Sequence, residues 1–336
     1  MCMFAPASFV ESLVIWSKAL EHFMSNDVQI ASISVDLDSM ACYREIHGLD
    51  AAKVEGADAA YAVGVDRLLG FLDELGLKST LFVVGKDAEN PAHHGLLKDA
   101  STAGHELANH SWAHDYAMRK FSEVALIADF ERAEEVLVEI SGQKPRGFRT
   151  PGYNVDSRLI NICERRGYAY DSSVFPCPSY YTAKGAVMGW LKVRGRPSRS
   201  SMTRAEALIA PIHPYHPDPQ KFWRRGNSKI VEVPMAVTPG TRLPIIGTSL
   251  HLLKAKGFDI AYAMMRRTNP FLNLEFHAID FMDDSDPGVE FLRPHQPDLQ
   301  VPWAEKKALY RHVFSRVNED YDFDTLINLA RAAREK

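Results

Sequence analysis

Between Ile30 and Val84 the chain spells a strand, a helix and a strand: IASISV at 30–35, GVDRLLGFLDEL at 64–75 and TLFVV at 80–84. The outer runs are apolar and rich in β-branched and aromatic residues, which predicts buried strands. The middle run has helical periodicity and stops at Gly76. Outward from this unit the rhythm continues. A helix is expected over 91–102, a short strand in HELANH (105–110), and a long helix from Ser122 to Ile140 that Ser122 can cap. A strand in GFR (147–149), a helix over 157–166 closed by Gly167 and a strand over 168–172 follow. Strands alternating with helices argue for parallel strands joined by crossover helices, hence an α/β barrel or a doubly wound sheet.

Residues 176–228 break this rhythm, because prolines at 176, 178, 197, 211, 214, 217 and 219 stand among Arg194, Arg196, Arg199 and Arg204. An irregular insertion over one barrel face is expected there. Strand patterns resume at KIVEV (229–233) and FLNLEF (271–276), with a helix over 248–256 or 258–265 between them, and the tail 303–336 is again helical. At the other end, Phe9, Leu13, Trp16, Leu20 and Phe23 recur at helical spacing. That amphipathic helix suits packing on its own domain or a partner subunit better than a membrane surface, since it lacks a Lys/Arg-rich polar face. The expected organisation is an N-terminal helix over 1–26, one barrel over 27–290 carrying the insertion, and a helical extension over 291–336.

Composition bounds the function. The 336 residues are 46% hydrophobic and 24% charged, which is globular usage, and 39 Lys+Arg against 43 Asp+Glu give −4. Such a balance disfavours nucleic acid as a partner. Cys2, Cys42, Cys163 and Cys177 are scattered and form neither a disulfide framework nor a cysteine metal knuckle. No stretch approaches the ~18–20 apolar residues of a membrane span, and MCMFAPASFVES has no early Lys or Arg and meets Glu11 before an apolar stretch develops. A cytoplasmic location is therefore expected. The composition leaves 13 histidines to explain.

Four pieces bear chemistry. SVDLD (34–38) ends a strand in carboxylates at i and i+2, so Asp36 and Asp38 share a side, and parallel α/β folds gather their chemistry at the carboxyl ends of strands. NHSWAH (109–114) spaces His110 and His114 four apart, and in a helix or tight turn both rings can face one cation. FRTPGY (148–153) sets Arg149 before a Pro-Gly turn, where a guanidinium could hold a carboxylate bidentately. LEFH (274–277) ends a strand in His277. Taken alone, each has an ordinary explanation: turn aspartates, chance histidine spacing, a structural arginine, a surface histidine.

Their order, SVDLD, NHSWAH, FRTPGY, YDSSVFP and LEFH over about residues 30 to 285, resembles the polysaccharide deacetylase (NodB-homology) family of metal-dependent carbohydrate esterases. The resemblance implies a distorted (β/α) barrel of about seven strands. It further implies Asp38, His110 and His114 as metal ligands, Asp36 as general base, Arg149 orienting that base, His277 as general acid and Gly152 as a backbone donor to the oxyanion. A divalent metal, zinc first, is the implied cofactor. The sequence departs from the family in separating the two aspartates by Leu37, which leaves their roles exchangeable. It also lacks a tryptophan in DSSVF (171–175), which puts Asp171 in doubt as partner of the acid histidine. Glu275 and Asp280 are alternative partners.

The expected function is a metal-dependent hydrolase that removes an N-acetyl group from an amino sugar, a small or carrier-linked saccharide that the insertion could enclose. Alternatives are a deformylase of a lipid-linked formamido sugar, an O-acyl esterase, and a non-catalytic sugar-binding barrel. Oligomeric state stays open, a homo-oligomer included.

Overall fold

The computed structural model describes residues 29–49, 57–195 and 198–335, so the amphipathic pattern over 8–24 lies outside the described residues. Strands β1 (Ile30–Leu37), β2 (Ser79–Val83), β3 (Glu106–Asn109), β4 (Gly147–Phe148), β5 (Tyr170–Asp171), β6 (Val231–Glu232) and β7 (Phe271–His277) form one sheet in the order β6-β5-β4-β3-β2-β1-β7. Every pairing is parallel. The two ends of this order curl together beyond β6, where the Ala236 N–H donates to the Asn273 carbonyl (2.9 Å), giving a distorted (β/α) barrel.

Helices α2 (Asp66–Leu75), α3 (Pro91–Thr102), α4 (Glu123–Ser141) and α5 (Ser157–Arg165) are the connections read from the sequence, and a short helix α1 (Met40–Ile46) follows β1 in addition. Ser122 caps α4 by accepting from the Ala125 N–H (3.2 Å). Alternation along β1 explains its layering. Ala31, Ile33, Val35 and Leu37 join the apolar core, whereas Ser32, Ser34 and Asp36 take the other face, so the barrel interior is polar near the site.

The insertion is less irregular than expected. It contains α6 (Pro178–Val193), sixteen residues long, which starts with Pro178 in the first turn, where proline's missing N–H costs nothing. The prolines read as breakers flank this helix rather than interrupt it. The alternative helices over 248–256 and 258–265 are both present as α7 (Gly247–Met265), bent at Lys254 (φ 54°). The tail is largely helical and returns to the barrel. After α8 (Trp303–Val317), strand β8 (Asp322–Phe323) pairs with the start of β1, and α9 (Leu326–Arg334) packs Leu326 and Leu329 against Phe82, Tyr170 and Val231. Cys42, Cys163 and Cys177 are free and buried. No helix among the described residues is long and apolar enough to cross a membrane.

Candidate active site and metal centre

The four motifs meet at the carboxyl end of the barrel. Asp36 stands opposite His277 in the β1–β7 register, and the backbone N–H groups of His110 and Arg149 continue the ladders by donating to Val83 and Asn109 (3.0 Å each). The His110–His114 segment is a tight turn, not a helix. Ser111 (φ 64°) and His114 (φ 50°) both take left-handed backbone, which is uncommon for residues with a Cβ. Side chains hold that strain in place. Asn109 Oδ1 accepts from the Ser111 N–H (2.7 Å), and Ser111 Oγ from the His114 N–H (2.8 Å). The two carboxylate oxygens of Asp129, on α4, accept from the Trp112 and Ala113 N–H groups at 3.0 Å each. Sequence reading missed Asp129 because its partners lie outside its own helix.

Asp38 faces both histidines. Its Oδ1 is 3.1 Å from His114 Nε2 and 3.6 Å from His110 Nε2. His110 Nδ1 donates to the Arg149 carbonyl (2.8 Å), which fixes the ring and leaves its Nε2 lone pair toward the aspartates. Asp38 Oδ1 and His114 Nε2 are buried without a hydrogen-bond partner, although they face each other. Burial would raise the Asp38 carboxyl, yet His114, His110 and His277 outweigh it and hold it well below the usual carboxylate range. Burial likewise opposes a charge on His114, but Asp38 pulls its pKa well above that of a free imidazole. The pocket thus draws positive charge to one point. Separations of 3.1 and 3.6 Å match the roughly 3.4 Å edge of a tetrahedron with bonds of ~2.1 Å, so Asp38, His110 and His114 fit a divalent cation bound by two imidazoles and a carboxylate.

Asp36 is differently placed. Arg149, fully buried, donates from Nη1 to Asp36 Oδ1 (2.5 Å), from Nη2 to Ser34 Oγ and Ser172 Oγ (2.9 Å each) and from Nε to the Ser172 carbonyl (2.8 Å). The bidentate grip expected from the sequence is replaced by a single contact, because the other donors brace the guanidinium across the barrel. Asn273 extends the brace, accepting from Ser34 Oγ (2.7 Å) and donating to Ser172 Oγ (3.0 Å). Asp36 Oδ2 stays turned toward His110 Nε2 at 3.7 Å.

His277 is the most open of these groups, with its side chain 26% exposed. Its Nδ1 lies 3.0 Å from Glu275 Oε1, and its Nε2 lies 4.0 Å from Asp38 Oδ2. Burial disfavours the imidazolium, but Glu275 and then Asp38 and Asp36 raise its pKa well above the free value. Glu275 is therefore the carboxylate beside the candidate acid. Asp171 instead accepts from Ser173 Oγ (2.8 Å) and lies beside buried Glu232. Asp280 accepts from the His277 backbone N–H (2.8 Å); this approach requires Gly247, where a Cβ would lie 2.1 Å from Asp280 Oδ2.

All this opens into a cavity of about 370 Å³ whose wall includes Asp36, Asp38, His110, Gly152 and His277. Gly152 takes φ 61°, and a Cβ there would lie 2.7 Å from the Tyr116 ring. α6 contributes Tyr180, Lys184, Val187 and Leu191 to the lining. The segment expected to cover the site does so, through the helix that its prolines concealed.

The family model described as polysaccharide deacetylase matches residues 57–170, a span holding His110, His114 and Arg149. Among curated proteins, a peptidoglycan deacetylase-like protein of Gibberella zeae is 28% identical over 167 residues, which is 43% of this chain and 46% of that protein. Chitin deacetylase 1 of Cryptococcus neoformans var. grubii is 27% identical over 100 residues, 30% of this chain and 21% of its own. The matches thus span less than half the length of either curated relative. Two solved structures share the fold over most of both chains. One is a Mycobacterium smegmatis protein provisionally named a polysaccharide deacetylase (TM-score 0.56, 18% identity, 93% of this chain and 92% of that one). The other is the Puue allantoinase (TM-score 0.55, 16% identity, 91% of each).

Proposed function

Because residues 57–170 of this chain belong to the polysaccharide deacetylase family, we propose that the protein is a hydrolase that removes an N-acetyl group from an amino sugar with the help of a divalent cation, zinc first. The observation that carries this reading is the convergence of Asp38, His110 and His114 beside a carboxylate braced by a buried arginine. Bound there, a divalent cation would polarise the amide carbonyl and acidify water.

The chain's own groups have separable tasks. Asp38 and the two histidines hold the cation. Asp36 is the proposed base, since Arg149 occupies its Oδ1 and leaves Oδ2 to accept a proton from the attacking water. Asp38 has no comparable anchor and faces the histidines. His277, kept protonated beside Glu275, donates to the leaving amine. Gly152 is the proposed backbone donor to the oxyanion.

The cavity is near the lower end of the ~300–1,000 Å³ usual for small-molecule sites and is walled by α6. That favours a small or carrier-linked saccharide over a polymer lying along an open groove. Mass spectrometry of N-acyl amino sugars incubated with the protein tests the reading. A mass loss of one acetyl group, absent with Asp36→Asn, is expected; retention of activity in that variant would remove Asp36 as base. A formyl loss instead would assign the deformylase alternative.

A further inference from the structure

The cavity contains a cation with no partner. Lys184 reaches from α6 into the wall that holds Gly152, and its Nζ lies 3.6 Å from where a Cβ on Gly152 would stand. No hydrogen-bond acceptor or carboxylate meets that ammonium among the described residues. The rings of Tyr180 and Tyr181 lie 5.9 and 6.0 Å away. Arg149 is engaged by Asp36 and His277 by Glu275. Lys184 is half-buried, so its ammonium is only partly hydrated, and with no counter-charge of its own on a ligand-sized cavity it is free to pair with an anion that arrives with the ligand.

We infer that the substrate carries an oxyanion, a phosphate or a carboxylate, near its acylamino group, and that Lys184 binds it. This rests on the deacylation reading of the same cavity and adds the substrate's charge. The geometry suits the role. Lys184 shares a wall with Gly152, so an anion paired with it sits within one small cavity of the reacting centre. Burial lowers the Lys184 pKa to about 8, which still leaves it mainly cationic at neutral pH. Partial desolvation strengthens a charge-assisted contact relative to one in water. A neutral glycan would leave the ammonium unpaired.

The test compares wild type with Lys184→Met and Lys184→Arg, thermal unfolding confirming that each is folded. Calorimetry measures binding of glucosamine and glucosamine 1-phosphate, which lack the acyl group and cannot turn over. Wild type is expected to prefer the phosphate about ten- to a hundredfold. Lys184→Met is expected to erase the preference and Lys184→Arg to retain it. Equal binding of both sugars by wild type, or a preference that survives Lys184→Met, overturns the inference.

Turnover of N-acetylglucosamine, its 1-phosphate and N-acetylmuramic acid supplies the second arm and separates phosphate from carboxylate. In Lys184→Met the loss should fall on KM for the charged sugars. An equal fall in kcat for charged and neutral sugars would place Lys184 at the reacting oxygen and also overturn the inference. If wild type deacylates none of the three yet binds the phosphate through Lys184, the deacylation reading fails and the anion site stands.

Discussion

Arg149 is large, charged and fully buried, and its guanidinium is satisfied by one carboxylate and one hydroxyl from β1 and by the hydroxyl and carbonyl of Ser172, just past β5. A lysine could reach only part of that set. Arg149→Lys should therefore leave polar groups unpaired and destabilise the fold by about 3 kcal/mol, the scale of a broken buried ion pair. Denaturant melts measure this, and an unchanged midpoint would mean that the brace is dispensable. Glu275 acts on the proposed acid through charge. His277 must be protonated to donate, so activity falls as pH rises through its pKa. Glu275→Gln removes the main group that raises that pKa, and the alkaline limb of the pH–rate profile should move to lower pH; an unmoved limb would detach His277 from the acid role. As candidates, Asp36, Asp38, His110, His114, Arg149 and His277 were readable from strand periodicity, histidine spacing and the order of the motifs. The choice of Glu275 over Asp171 was not, since it depends on which strand faces which across the barrel.

At the level of elements, the histidine turn and α6 differ in legibility for opposite reasons. HSWAH has ligand spacing in a helix or a tight turn alike, so its meaning does not depend on which of the two forms. Its support comes from Asp129, 17 residues from Trp112 and 16 from Ala113, and invisible to local reading. An asparagine keeps only one of the two acceptor oxygens, so Asp129→Asn should weaken metal affinity roughly tenfold or more while the chain stays folded. Metal titration monitored alongside circular dichroism checks this, and unchanged affinity would show that the turn holds itself. The helix α6 was obscured by prolines on either side and by Gly185 and Gly189 within it. Its place on the cavity wall is set by tertiary packing of Tyr181 and Leu191, which no local pattern encodes.

Across the whole molecule, the parallel barrel was legible from the alternation of elements, whereas the role of the tail was not. Strand β8 is two residues long, too short to carry a pattern, yet it lets α9 pack on the barrel. Glu106 ties these parts together: it accepts from Thr80 Oγ1 (2.7 Å), Tyr170 OH (3.1 Å) and the Ile327 N–H (3.1 Å). Burial pushes its pKa from 4.5 up to about 7. The folded state therefore favours the protonated form, and that contribution is full below pH 4.5 and lost as pH rises through about 7. Glu106→Gln, neutral at every pH, should flatten this decline in melts between pH 4.5 and 8; an identical slope in both proteins would remove Glu106 as its source.

The central claim is that Asp38, His110 and His114 hold a cation on which N-deacylation depends. The most direct measurement is divalent metal content and acetate release from the same preparations of wild type and His114→Ala. The account predicts about one cation per wild-type chain, with cation and acetate release lost together in the variant. A folded His114→Ala that retains both would contradict it.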